Sequence, residues 1–79
     1  MNAIYDSIAS VVARRFRIDR SAVVPEASFE ELGLDSLSLI ELTTSIKKEL
    51  GFTISDNDIA QMSTISDIIQ LLEQQGVEV

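Results

Sequence analysis

The chain has no cysteine, no histidine and no tryptophan, and a single proline among its 79 residues. Without thiols or imidazoles it has no cysteine nucleophile, Ser-His-Asp triad, histidine general base or zinc-finger ligand set, since each needs a side chain this polypeptide does not carry. The disulfide and zinc staples on which chains this short often rely are missing too. Chemistry at this protein must draw much of its equipment from outside. Cations are also scarce, six Lys and Arg facing thirteen Asp and Glu for a formal net charge of −7. That sign disfavours nucleic acid and anionic lipid and makes basic proteins the favoured partners. No apolar run approaches the ~20 residues that cross a bilayer, and the amino end shows no basic-then-apolar leader. The expectation is a soluble, monomeric, cytoplasmic protein with no membrane insertion and no bound metal.

What the chain does have is 46% hydrophobic residues, enough for one small core, so residues 1–79 read as a single domain without repeats or linkers. The charge is uneven. Residues 1–20 carry Arg14, Arg15, Arg17 and Arg20 against Asp6 and Asp19, whereas residues 21–35 carry Glu26, Glu30, Glu31 and Asp35 with no base. Residues 36–50 balance Lys47 and Lys48 against Glu41 and Glu49, and residues 51–79 hold Asp56, Asp58, Asp67, Glu73 and Glu78.

Ile4, Ile8, Val11, Val12 and Phe16 recur at helical spacing, predicting a first helix over about residues 2–15 with Asn2 as its cap and Arg14 and Arg15 at its negative end. Residues 17–35 contain Pro25 and Gly33 and form a long connection, which Val23, Val24, Phe29, Leu32 and Leu34 should anchor over the core. A second helix is predicted from Ser36 to Leu50, with Leu39, Leu42, Ile46 and Leu50 as its core stripe and Gly51 as its stop. Ser55 with Asp58 and Thr64 with Asp67 resemble capping boxes. They predict a short third helix ending near Met62 and a fourth, carrying Ile65, Ile68, Ile69 and Leu72, that stops before Gly76. Phe52–Ile54 leans toward strand but is too short for a sheet. The fold class is all-α, a four-helix bundle with a short third helix and a long loop between helices 1 and 2.

The segment Glu30-Glu31-Leu32-Gly33-Leu34-Asp35-Ser36-Leu37 runs an acidic, glycine-containing loop straight into a helix start. Ser36 falls at the N-cap or first helical position, where unpaired amides and the positive dipole end favour a negatively charged attachment such as a phosphate ester. Asp35 or Ser36 acting simply as a helix cap explains the same pair of residues. Leu37, Ile40 and Thr44 lie about 120° to 160° from the core stripe, which suits either an interaction face or packing beneath the loop.

Leu32-Gly33-Leu34-Asp35-Ser36-Leu37 followed by Ile40-Glu41-Leu42, midway along an acidic helical chain, resembles the acyl carrier proteins of fatty-acid and polyketide synthesis. The resemblance spans nearly the whole chain. It implies that a phosphopantetheinyl transferase, using magnesium, moves 4′-phosphopantetheine from coenzyme A onto Ser36, with Asp35 helping to engage the transferase or its metal. The arm would carry acyl groups as thioesters, so that the chain is a carrier and not an enzyme. Leu37, Ile40, Glu41, Thr44, Lys47, Lys48, Asp56 and Asp58 would then meet partners: an acyltransferase or acyl ligase, a ketosynthase and other synthase enzymes with basic patches. The acyl chain would fold back among residues such as Leu42, Ile46, Ile54, Ile59 and Ile68, which ordinary core packing also explains. Carriers of primary fatty-acid synthesis usually have a densely acidic second helix, and this one is neutral. Lys47 and Lys48 either complement the helix dipole or mark a dedicated carrier of a specialised polyketide or lipopeptide pathway.

A Gly-Asp-Ser-Leu esterase is excluded because Leu34 interrupts the string and no histidine activates the serine. Asp56-Asn57-Asp58 lacks the glycine and terminal glutamate of a calcium loop. An aminoacyl or peptidyl carrier and an unmodified helical interaction domain remain as alternative readings.

Overall fold

The computed structural model describes residues 3–75. Its four α-helices are α1 Ala3–Phe16, α2 Ser36–Leu50, α3 Asp56–Ala60 and α4 Ile65–Gln74, with a 3-10 turn at Arg20–Ala22 inside the first connection. This is the expected all-α arrangement. The Asn2 cap and the stop before Gly76 lie outside the described residues. Among the described residues there is no strand, and the isolated antiparallel bridge joins Ser28 to Thr64 rather than involving Phe52–Ile54.

Helix α1 packs against α2 and α4 through Ile4, Ile8, Val11 and Val12, and α2 touches α3. Ile8, Val12, Val23, Leu42, Ile46, Ile65, Ile68 and Leu72 are fully buried and form the centre of the core. On α2 the predicted stripe holds at Leu42 and Ile46, while Leu39 and Leu50 near its ends are only half-buried. Thr43 and Ser45 are buried beside them. The Thr43 hydroxyl donates to the Ile40 carbonyl at 2.8 Å, so it enters the interior with its polar atom satisfied.

The connection between α1 and α2 is packed, as its apolar content predicts, with Val23, Ala27, Phe29 and Leu34 buried. The Tyr5 hydroxyl donates to the Val23 carbonyl at 2.8 Å and accepts from Arg20 at 3.2 Å. The Arg20 guanidinium lies 5.1 Å from the Tyr5 ring centre and bonds Asp6 at 3.3 Å. Val24 departs from expectation and is 38% exposed. The 3-10 turn, closed by the Val23 amide on the Arg20 carbonyl, directs Val23 inward and leaves its neighbour outside.

Further along, Ser28 and Glu31 cap one another: the Ser28 amide donates to Glu31 Oε1 and the Glu31 amide to Ser28 Oγ, both at 3.0 Å. The turn closes with Leu34 N–H on the Phe29 carbonyl and Gly33 N–H on the Glu30 carbonyl, Gly33 taking φ 76°. This is the bond pattern of a helix C-terminus, compressed into a single turn. The carbonyls of Pro25 and Ala27 accept from the Ser66 and Ile65 amides, and Phe29 donates to the Ser63 carbonyl, so the connection is tied to the head of α4. There Thr64 and Asp67 complete a reciprocal capping box, whereas at α3 only the Ser55 half forms.

Helix α1 ends differently. Ile18 N–H reaches back to the Ala13 carbonyl at 3.0 Å, which places Arg17 in the left-handed region at φ 55°, a position glycine usually fills. Arg17→Gly should therefore stabilise the fold by about 0.5–1 kcal/mol, or roughly 2–8 °C in Tm. Thermal melts followed by circular dichroism check this, and an unchanged or lower Tm would count against strain at the turn.

Candidate functional site

Asp35, with extended backbone, is the N-cap of α2, and its Oδ1 accepts the Ser38 amide at 2.9 Å. Ser36 is thereby placed at the first helical position and is exposed. Of the two cap candidates in the sequence the aspartate is the one that caps, and Ser36 stands exposed at the positive end of a helix of 15 residues. The Ser38 amide holds the Asp35 carboxyl below the usual carboxylate range. Its charge is committed to the helix start.

Three and four residues on, Leu39 and Ile40 share the face of Ser36. With Asp56, Ile59 and Ala60 of α3 they line a partly open cavity of about 240 Å³ against which Ser36 stands. Of the five residues expected to contact an acyl chain, Ile59 lines this cavity, and Leu42, Ile46, Ile54 and Ile68 are closed into the core. The helical spacing from Ser36 was the sequence signal that could have found Leu39 and Ile40. Ala60 has no such signal, because its place depends on how α3 docks.

Leu37 is 66% exposed and Ile40 49%, so neither is packed beneath the loop. Thr44 is exposed, and its hydroxyl donates to the Ile40 carbonyl at 3.0 Å. Glu41 is exposed next to Ile40. Asp56 joins this neighbourhood through the cavity, and Asp58 is half-buried on α3 with its amide on the Ser55 hydroxyl at 3.0 Å. Lys47 and Lys48 are exposed on the last turn of α2, ~17 Å along the axis from Ser36 at 1.5 Å per residue. The site therefore has two ends. Chemically, the chain supplies neither an imidazole nor a thiol to activate this exposed serine.

A family described as phosphopantetheine attachment site matches residues 6–72. An acyl carrier protein of Thermotoga maritima is 32% identical over 72 residues, covering 90% of this chain and 89% of its own. A solved structure provisionally described as an acyl carrier protein from Mycobacterium tuberculosis superimposes with a TM-score of 0.82 at 27% identity, covering 92% of this chain and 99% of its own. Among the described residues no helix is long and apolar enough to cross a membrane.

The scaffold that presents Ser36 carries a pH dependence. Backbone amides hold Asp35, Glu31 and Asp67 below their ordinary values, the largest causes being the N–H groups of Ser38, Ser28 and Ser63 respectively. A carboxyl depressed in the folded state stabilises it fully above its unfolded pKa, and that stability is lost as pH falls through the folded value. Denaturant midpoints of the wild type should accordingly decline below about pH 4. An Asp35→Asn, Glu31→Gln, Asp67→Asn variant should be less stable at neutral pH and show a smaller decline. An equal decline in both proteins would assign the acid response elsewhere.

Proposed function

The chain belongs to the acyl carrier protein family, and from that membership we propose that Ser36 is the hydroxyl esterified by 4′-phosphopantetheine in a single carrier domain over residues 1–79. Members of this family are carriers rather than enzymes, and their phosphopantetheine is attached covalently by a separate transferase. The observation that carries the assignment is the exposure of Ser36 at the first position of α2, against an apolar cavity. Its surroundings fit the group. The helix head favours the phosphodiester charge, and Asp35, exposed and charged beside Ser36 while it holds its cap bond, is placed to help engage the transferase or its metal. When bound, the group supplies a thiol on a flexible arm for acyl cargo. Leu39, Ile40, Ile59 and Ala60 provide the apolar lining that receives such cargo next to the attachment point.

Leu37, Ile40, Glu41 and Thr44 form the partner face, an apolar stripe with a single carboxylate rather than an acidic helix. Lys47 and Lys48 add a basic end to α2, which a partner carrying basic patches alone would not favour. We assign the protein to a dedicated polyketide or lipopeptide pathway in the cytoplasm, where synthase enzymes are the consumers of its cargo.

Incubation of the apo protein with coenzyme A, magnesium and a broad-specificity phosphopantetheinyl transferase should add one phosphopantetheine by intact mass to the wild type and none to Ser36→Ala. An unmodified wild type would refute the attachment, and a gain surviving in the alanine variant would move the site. For the pathway, Lys47→Glu with Lys48→Glu should improve turnover by general fatty-acid synthase enzymes several-fold, about 1 kcal/mol or less per charge. Unchanged steady-state kinetics would show that these charges do not choose the partner.

A further inference from the structure

Five of the six Lys and Arg gather at one end of the molecule. Arg14, Arg15 and Arg17 line a concavity together with Glu49 of α2, and the Arg14 guanidinium pairs with the Glu49 carboxylate across the two helices. Lys47 and Lys48 occupy the same last turn of α2 as Glu49 and are exposed. The sixth cation, Arg20, is engaged elsewhere by Tyr5 and Asp6. Against these five cations stand Glu49, already paired with Arg14, Asp6, which lines a neighbouring concavity with Arg14 and Glu49 and is bonded to Arg20, and Asp19, whose Oδ1 is taken by the amide and hydroxyl of Ser21. Among the described residues Arg15, Arg17, Lys47 and Lys48 form no ion pair. Among the described residues the other acidic groups lie along the connection, on α2 nearer Ser36, on α3 and on α4. An acidic protein thus carries a compact basic pole at the opposite end of α2 from Ser36.

Complementing helix dipoles accounts for Arg14, Arg15, Lys47 and Lys48, each in a last turn. It does not account for Arg17, which lies beyond α1 in a left-handed conformation that glycine would adopt without strain, and which is exposed. We infer that the Arg14, Arg15, Arg17, Lys47 and Lys48 pole is a second docking surface that receives an acidic face of an enzyme visiting the carrier. The inference rests on the carrier reading for the kind of visitor alone. Glu49 lines the concavity and would repel a compact anion, whereas carboxylates spaced over a protein face can reach the separated guanidinium groups around it. Nucleic acid fits poorly, because a uniform polyanion that approached the pole would also face the rest of a chain of net charge −7. The two poles together orient the visitor. Basic groups near the enzyme's entrance meet the acidic residues around Ser36, acidic groups farther out meet the arginines, and the reversed approach is repelled at both ends.

The test is an amide-resolved NMR titration of the full chain with a peptide of alternating Glu and Ser as the acidic probe, and with inorganic phosphate in parallel. The expected result is saturable peptide shifts confined to residues 14–19 and 46–50. Affinity should weaken severalfold between about 50 and 200 mM NaCl. It should also weaken about tenfold in Arg15→Glu, Arg17→Glu. Arg15→Gln, Arg17→Gly removes the same two charges without introducing acid at the helix end, so loss of binding there cannot be ascribed to unfolding once its melt is at least as high as that of the wild type. Absent or dispersed shifts, or retained affinity in both variants, would overturn the proposal. Saturable phosphate binding in the concavity would also overturn it, in favour of a small-anion site. Intact-mass loading of Ser36 in the same wild-type sample reads the carrier assignment separately, so the two can fail independently.

Discussion

The arrangement depends on the main-chain clamp between the first connection and the head of α4. The opening amides of a helix have no partner inside it, and here the carbonyls of Pro25 and Ala27 supply acceptors for Ser66 and Ile65 while Asp67 takes those of Ser63 and Thr64. Each bond contributes on the order of 1 kcal/mol net, and leaving such a group buried without a partner costs more. The clamp fixes the middle of a connection that would otherwise be too long to hold a defined path. From Ala27 the chain has one capped turn, Ser28 to Leu34, before it reaches Asp35. Leu34 is buried and Asp35 caps the helix through the Ser38 amide, so the next residue, Ser36, emerges exposed at a defined position. Ser36 is thus held from behind, through the bonds of the connection to α4.

The parts of this that could be read from the sequence are those with a local signal. Helix α2 begins and ends where Asp35-Ser36 and Gly51 predict, because a capping side chain and a residue free to adopt φ 80° act within a few residues of themselves. The Ser-x-x-Glu pattern at Ser28–Glu31, followed by Gly33, is the same kind of signal as Thr64–Asp67, but no apolar periodic run follows it, and so it did not announce an ordered turn. Arg17 was hidden for the opposite reason. The bond pattern that ends α1 is one a glycine would advertise, and an arginine there gives no warning. Periodicity likewise separates inward from outward faces without saying which gaps between helices stay open. Leu42 and Ile46 therefore read as core or as acyl contacts, and only the packed structure shows them closed into the core while Leu39, Ile40 and Ile59 line the cavity against the five-residue α3.

The missing thiols and the local charges now belong to one physical picture. On the proposed attachment, a phosphodiester at Ser36 would stand at the positive end of α2, but within a surface that also bears Glu30, Glu31, Asp35 and Asp56. The helix head stabilises the anchored charge, while the surrounding carboxylates repel it across water with energies on the order of 1 kcal/mol at close range, diminished further by salt. Repulsion of that size favours an arm extended into solvent, where a partner enzyme can take it. The cavity beside Ser36 acts in the other direction, since each methylene buried there would contribute ~0.8 kcal/mol. On that reading a short or polar cargo would gain too little to overcome the outward bias, whereas a chain with several methylenes would gain enough to enter. The length and polarity of the cargo, rather than any catalytic group of the protein, would then decide how readily it is offered, which is the division of labour expected of a chain with neither cysteine nor histidine.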